Sequence, residues 1–374
     1  MKKVLFVATV VKMHIMVFHI PYLELFKKNG YEVHVCAQND YENSKDCVIP
    51  FCDRFYDLPF SRNPFSSKNI KVYKQLQDII VNNKYDIIHC HTPVGGALTR
   101  LAAKKIRKEG TKVIYTAHGF HFFKGAPFIN WIIYYPIEKW LSKFTDILVT
   151  ITNEDYTRAK KFKMKNLEYV PGVGIDVNKF GCVKDNIRES KCLELGIPND
   201  SIIILSVGEL NKNKNHEMVI RSISRISNKN IYYIICGQGS NYDYLLQLAS
   251  SCGVGEKVKL LGFRNDINDI YGIADIFAFP SSREGLSVAL MEAMASSLPV
   301  VCTDIRGNRD LIVTAKGGFV VSALNEFSDA IVKLVENKDM RLYMGEYNKS
   351  KIKMYDINHV RSSMQRIYNF REIN

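Results

Sequence analysis

The chain has 374 residues, 47% hydrophobic and 24% charged, and a formal net charge of +13. That balance excludes a disordered or fibrous chain and points to a soluble protein of two domains; no apolar run reaches the ~18 to 20 residues a membrane span needs. Nine cysteines (36, 47, 52, 90, 182, 192, 236, 252 and 302) form no Cys-x-x-Cys pair, and several sit in apolar runs, so they read as free thiols of a reducing compartment.

Residues 1–10 have a basic start and a short apolar run, which reads as a first strand rather than a signal peptide. Strand-like runs follow at Val4–Thr9, Val33–Ala37, Ile87–His91, Val113–Ala117, Ile147–Ile151 and Leu167–Val170. Between them Lys68–Val81 and Gly95–Lys108 carry apolar residues at helical spacing. Strands this apolar are buried on both faces, so residues 1–172 form a doubly wound parallel α/β domain. Pro171 to Asn178, with two glycines and no periodicity, is the linker. The scheme then repeats with strands at Ile202–Val207, Tyr232–Cys236, Val258–Leu261, Asp275–Phe279, Val300–Thr303 and Phe319–Val321. This gives a second domain over 173–355 and a helical tail over 356–374 that can pack back on the first. Two such domains are expected to face a cleft with the C-terminal ends of their strands.

The excess charge is uneven, +11 over residues 1–175 and +2 over residues 176–374. A basic half calls for an anionic partner. No nucleic-acid-binding motif is present, whereas Phe120 to Trp140 mixes Trp, Tyr and Phe with Lys as a segment lying on a membrane would. An anionic membrane surface is therefore the expected partner, with Phe122, Phe123, Lys124 and Trp131 facing it. The protein is expected in the cytoplasm, attached to the inner face of the membrane.

The chemistry centres on Asp275 to Met294. An apolar strand ends at Pro280, a polar turn follows, and Leu286–Ala295 reads as a helix. The N–H groups of Gly285, Leu286 and Ser287 then lie at the positive end of a helix dipole, where a phosphate binds. Glu284 and Glu292, eight residues apart, are acceptors for the vicinal hydroxyls of a sugar and a ribose. Gly208 to His216 supplies a close-approach glycine and Lys214 for a diphosphate. Gly237 to Gly239, and Gly262 to Asn265 with Phe263 and Arg264, are short loops able to touch a nucleotide. His118, following a strand in the first half, is the candidate catalytic histidine. His89-Cys90-His91 is expected to hold no metal, its histidines being assigned to opposite faces of the strand without carboxylate partners; there is no Asp-x-Asp pair either.

Assembled, these residues resemble the family 4 retaining glycosyltransferases of GT-B fold, in particular bacterial capsular and exopolysaccharide members, over essentially the whole chain. The carriers are Arg283 to Glu292 with its E-x7-E spacing, Ser297 to Arg309, and Tyr115 to Gly119. The resemblance implies transfer of a hexose or N-acetylhexosamine from a nucleotide sugar, typically a UDP-sugar, to a hydroxyl of a polyprenyl-diphosphate-linked saccharide, with retained configuration and no metal or other cofactor. It implies that Glu292 takes the ribose, Glu284 the donor sugar and Lys214 the diphosphate, with Lys212 or Arg283 expected in place of the family's usual arginine. Two positions depart from the pattern. Glu209 stands where an arginine commonly follows the glycine, and residues 9–14 lack the glycine pair, so acceptor contacts are expected from Lys12, His14 and Lys124. A sugar-nucleotide 2-epimerase of the same architecture is the alternative.

Overall fold

The computed structural model describes residues 1–180, 187–226 and 230–370. The chain separates into two compact units, Met1–Val173 with the tail from Arg361, and Gly174–Val360. The second division falls inside the tail helix Ile357–Tyr368, a few residues beyond the expected boundary. Each unit is an α/β domain built on a parallel sheet.

The first unit holds a seven-stranded sheet: β1 (Lys3–Val10), β2 (Glu32–Gln38), β3 (Arg54–Asp57), β4 (Ile87–His91), β5 (Lys112–Ala117), β6 (Ile147–Thr150) and β7 (Asn166–Tyr169). Its order is β3-β2-β1-β4-β5-β6-β7 and every pairing is parallel. Helices cover both faces, which is why β1 and β4 are buried almost throughout. The helix Lys68–Asn83 shows how the sequence achieves this: Val72, Leu76 and Ile80, four residues apart, form its buried stripe, and Lys84 ends it in the left-handed conformation. Strand β3 has no counterpart among the expected strands. It is an edge strand with exposed ends, so no apolar run marks it.

The second unit repeats the plan with β8 (Ile202–Val207), β9 (Ile231–Cys236), β10 (Val258–Gly262), β11 (Ile276–Phe279), β12 (Val300–Thr303) and β13 (Gly318–Val321), in the order β10-β9-β8-β11-β12-β13, again all parallel. In each sheet the chain winds outward from one strand and then returns to its other side, between β1 and β4 and between β8 and β11. Loops diverge at such a switch point and leave a crevice at the strand ends. Among the described residues no helix is long and apolar enough to cross a membrane. Eight cysteines are free thiols, and Cys182 lies outside the described residues.

Candidate active site

In the second unit the loops after β8, β9 and β10 are laced by main-chain hydrogen bonds. The N–H of Gly208 donates to Cys236 O at 2.9 Å, that of Gly237 to Gly262 O at 2.8 Å, and that of Leu210 to Gln238 O at 2.9 Å. Such lacing requires close approach. A Cβ on Gly237 would lie 1.8 Å from Gly208 O, so only glycine fits.

The loop after β8 is tied in turn to the one after β11. Ser282 N–H donates to Asn213 O at 2.8 Å, and Asn213 Nδ2 donates to Arg283 O at 3.1 Å. Gly307, in the first turn of the helix Arg306–Leu311, presses on this turn; a Cβ there would meet Gly285 O at 1.6 Å. The buried Arg306 donates from Nε to Glu284 O at 3.3 Å. The turn is thus clamped from both sides. The helix after it starts at Val288, two residues later than expected, with Ser287 extended as its cap and no side-chain cap hydrogen bond. Among the described residues none accepts from the N–H groups of Gly285, Leu286 or Ser287. Three N–H donors at the entry of the helix Val288–Ala295 are therefore left without a protein acceptor, and the end of a helix where they lie favours an anion.

Lys214 Nζ donates to Glu284 Oε1 at 2.8 Å and sits 5.1 Å from the centre of the Phe279 ring. One of its three N–H donors is thereby used. Glu292, on the helix Val288–Ala295, accepts from Tyr271 Oη at 3.1 Å through Oε2. Burial pushes its carboxyl above the usual range, partly opposed by the tyrosine hydrogen bond and by Lys179.

Three expected donor contacts have side chains that are paired elsewhere or exposed. Arg264 is held by Asp266 at 2.6 Å and Glu194 at 2.7 Å, with Lys191 bridging the same carboxylates, so its guanidinium belongs to an ion-pair network on the helix Ile187–Leu195. Phe263 is largely exposed. Arg283 offers its main-chain carbonyl to Asn213, its side chain being exposed.

In the first unit a cavity of about 480 Å³ opens beside β1, β4 and β5, lined by Met13, His14, Arg62, Tyr115, Phe120 and Tyr134 among others. Lys12 and Lys124 are exposed and not part of this lining; Lys12 lies 5.5 Å from the Tyr41 ring, and Lys124 gives its N–H to Glu154. Two of the four expected membrane-facing residues, Phe122 and Trp131, need correction. Phe122 is fully buried, and Trp131 packs against Phe122 with Arg158 stacked 4.6 Å over its ring. The exposed side of that segment is carried instead by the helix Phe128–Leu141, through Phe128 (78% exposed), Ile129, Ile132 and Trp140.

His118 lies just past β5 in a group that local spacing did not reveal. His14 and His19 come from the helical turns after β1, His91 from the end of β4, and the ring centres are 4.9 Å apart for His14 and His118, 4.9 Å for His14 and His19, and 3.8 Å for His19 and His91. His118 Nε2 is 3.4 Å from His91 Nδ1. Burial holds these imidazoles neutral, His118 down at about 4 and His89 at about 3. The assignment of His89 and His91 to opposite faces is also overturned: residues i and i+2 of a strand share a face, and the two rings are 4.1 Å apart.

The sequence matches two family descriptions, "Glycosyl transferase 4-like" over residues 3–153 and "Glycosyl transferases group 1" over residues 188–351. It is 40% identical over 324 residues, 86% of this chain and 83% of the other, to the putative glycosyltransferase EpsD of Bacillus subtilis. The chain belongs to the group 1 glycosyltransferases. A second relative of this glycosyltransferase, the Escherichia coli UDP-Gal:alpha-D-GlcNAc-diphosphoundecaprenol alpha-1,3-galactosyltransferase, is 28% identical over 77% of this chain and 76% of the other. Among solved structures, the sucrose-phosphate synthase from Thermosynechococcus elongatus superposes with a TM-score of 0.79 at 16% identity, covering 99% of this chain and 98% of the other. Anabaena Alr3699/HepE in complex with UDP-glucose superposes with a TM-score of 0.77 at 16% identity, over 99% and 100%.

The enzyme is therefore a transferase, which sets the epimerase reading aside. Several residues that hold Glu284, Glu292 and the turn after β11 in place were not legible as site residues: Asn213, Tyr271, Arg306 and Gly307. Asparagine repeats in Asn211 to Asn215 hint at a turn rich in side-chain caps. For Tyr271, in the short helix Ile267–Ile273, no local signal exists.

Proposed function

We propose that this glycosyltransferase moves a hexose or N-acetylhexosamine, with retention, from a UDP-sugar to a polyprenyl-diphosphate-linked saccharide used for surface polysaccharide, capsule or exopolysaccharide. The observation that carries the donor half is the clamped turn at Glu284 to Ser287, with three unclaimed N–H donors and the Lys214–Glu284 pair beside it. The N–H groups and the remaining donors of Lys214 would take the diphosphate and stabilise it as it leaves, so that step needs no divalent metal. Glu284 would accept from the donor sugar, and Glu292, with one oxygen engaged by Tyr271, would accept from the ribose with the other. His118 acts at the reacting sugar. The relatives that act on undecaprenol diphosphate sugars support the acceptor class.

The acceptor half is carried by the first unit. Its cavity combines an apolar lining with Arg62 and His14, a mixture suited to the diphosphate end of a lipid. The exposed apolar row on Phe128–Leu141 lies on the strongly basic half of the sequence. Each cation near an anionic leaflet contributes about 1 kcal/mol, and apolar side chains add burial at the interface. Peripheral attachment to the inner face of the membrane follows from that combination.

The test is a screen of nucleotide sugars for nucleotide release that depends on a polyprenyl-diphosphate saccharide, with the product linkage read by NMR. UDP release that requires the acceptor, an unchanged anomeric configuration, and no gain from added Mg²⁺ or Mn²⁺ is the expected result. An inverted product removes the retaining assignment. Sedimentation with anionic vesicles should fall when Phe128, Ile129 and Ile132 are changed to Ser.

A further inference from the structure

We propose that His14, His19, His91 and His118 together hold one divalent transition-metal ion of the Zn²⁺ class. One ring nitrogen from each of the four can be chosen so that all lie within 4.8 Å of one another. A tetrahedral ion with bonds of about 2.0–2.1 Å sets its nitrogen ligands ~3.3 Å apart, and His118 Nε2 and His91 Nδ1 already stand at 3.4 Å.

The hydrogen bonding distinguishes this cluster from ordinary buried histidines. A neutral imidazole always carries one donor and one acceptor, and each left unmade in the interior costs about 1–3 kcal/mol. His89, in the same stack of rings, has both nitrogens engaged, Nδ1 with Tyr368 Oη and Nε2 with Thr116 Oγ1, each at 2.8 Å. His19, 2% exposed, has neither nitrogen engaged, and His14 Nε2 and His91 Nε2 are buried without a partner as well. Three of the four histidines of the cluster thus carry at least one partnerless ring nitrogen. A cavity of about 20 Å³ touches His19, His91 and His118 there, room for a single particle the size of a water or an ion. Imidazole donors without carboxylate or thiolate select Zn²⁺ and its neighbours over Mg²⁺ or Ca²⁺. Cys90, between His89 and His91, takes no part, because its Sγ donates to Ile114 O on the opposite side of β4.

Four protein ligands fill a tetrahedral shell, so the site is closed and holds structure rather than activating water. The ion pins the turns after β1, which carry His14 and His19, to the ends of β4 and β5. Met13 and His14 belong to those turns and also line the 480 Å³ cavity, so the ion sets that cavity's wall. Ligation through one ring nitrogen leaves the other of His118 with its proton, free for the role assigned to it at the sugar. The inference rests on the first unit alone, so it stands or falls independently of the donor reading.

Titration of the metal-free full-length chain with Zn²⁺ against a chromophoric chelator should show one tightly held equivalent. His19→Gln should weaken binding by at least the ~10–100-fold that outer-shell losses already cause, while His89→Gln, outside the ligand set, leaves it little changed. Co²⁺ in place of Zn²⁺ should give the visible bands of a tetrahedral nitrogen-ligated ion. Failure of the wild-type chain to take an equivalent, which would mean that water fills the cavity, overturns the proposal, as does wild-type affinity in His19→Gln. If His19→Gln does not fold, the wild-type Co²⁺ spectrum decides. Thiolate charge-transfer bands place the ion elsewhere and overturn the site.

Discussion

The two units of this glycosyltransferase use the same position in the same kind of sheet for different chemistry. At the β8/β11 switch point the groups left to a ligand are main-chain N–H donors, shaped by glycines and backed by one ion pair. At the β1/β4 switch point they are side chains, four histidines from three separate elements. A main-chain cradle is rigid because its hydrogen bonds are also the fold's own, and it tolerates no added atom at its contact points. A side-chain cluster can be lost without disturbing the sheet, yet its polar atoms must find partners in a buried setting. The first kind of site fails by sterics and the second by desolvation.

The sharpest test of the desolvation half is Glu138→Ala. Arg100, 1% exposed, lies 3.9 Å over the Tyr115 ring and is paired with both oxygens of Glu138 at 2.9 and 3.1 Å. Removing the carboxylate strands a buried guanidinium, and stability measured by urea unfolding should fall by about 3–5 kcal/mol. A loss under about 1 kcal/mol would mean that this unit tolerates orphaned polar groups, and the contrast with the second unit would weaken.

The steric half is tested by Gly307→Ala. Its Cβ would stand 1.6 Å from Gly285 O, a main-chain atom that cannot swing aside. The turn must move, at a cost of about 1–3 kcal/mol, and UDP affinity measured by calorimetry should fall with it. Unchanged UDP binding in a chain that still folds would show that the turn is not the cradle.

These two positions also mark what was legible in the sequence. The strands and the doubly wound plan could be read because parallel strands buried on both faces leave apolar runs; β3 could not, because its ends are exposed. Lys214, Glu284 and Gly285 lie on contiguous strand-turn-helix segments, so spacing could single them out as candidates, and the structure pairs Lys214 with Glu284. Gly307 acts across 22 residues of sequence, and its role is visible only as a distance. His19 and His91 come from different elements, and no periodicity brings them together. Membrane-facing residues were misassigned within Phe120–Trp140 because aromatic content does not tell which ring turns inward.

Glu292→Gln separates function from stability at a single position of the cradle. Loss of a charge-assisted hydrogen bond of about 1.5–3 kcal/mol corresponds to a roughly ten- to hundredfold drop in kcat/KM. Burial raises the carboxyl's pKa in the folded chain, so in the window just above the ordinary glutamate value the folded state binds more protons than the unfolded one. Stability then declines as pH rises through that window, and at neutral pH the ionised group is a net burden. Gln should therefore be slightly more stable than Glu at neutral pH while less active, and the acid limb of the kcat/KM profile should vanish. A less stable variant would show that the Tyr271 hydrogen bond outweighs desolvation.

The smallest effect is expected at Glu209, the exposed carboxylate directly after Gly208. If the cradle binds a diphosphate, this charge opposes it, and the opposition is weak because water screens an exposed group. Exposed charge pairs are worth about 0.2–1 kcal/mol, so Glu209→Gln should tighten UDP by roughly up to fivefold at low ionic strength. The screening length falls from about 10 Å at 0.1 M salt to about 3 Å at 1 M, so the gain should disappear at high salt. Lys214→Ala should show the opposite sign, since its ammonium is the cation beside the turn. Weaker UDP binding in Glu209→Gln would reverse the assignment. The carboxylate would then be an acceptor for a donor hydroxyl, and the cradle would hold its ligand by side chains as well, removing the distinction between the two switch points.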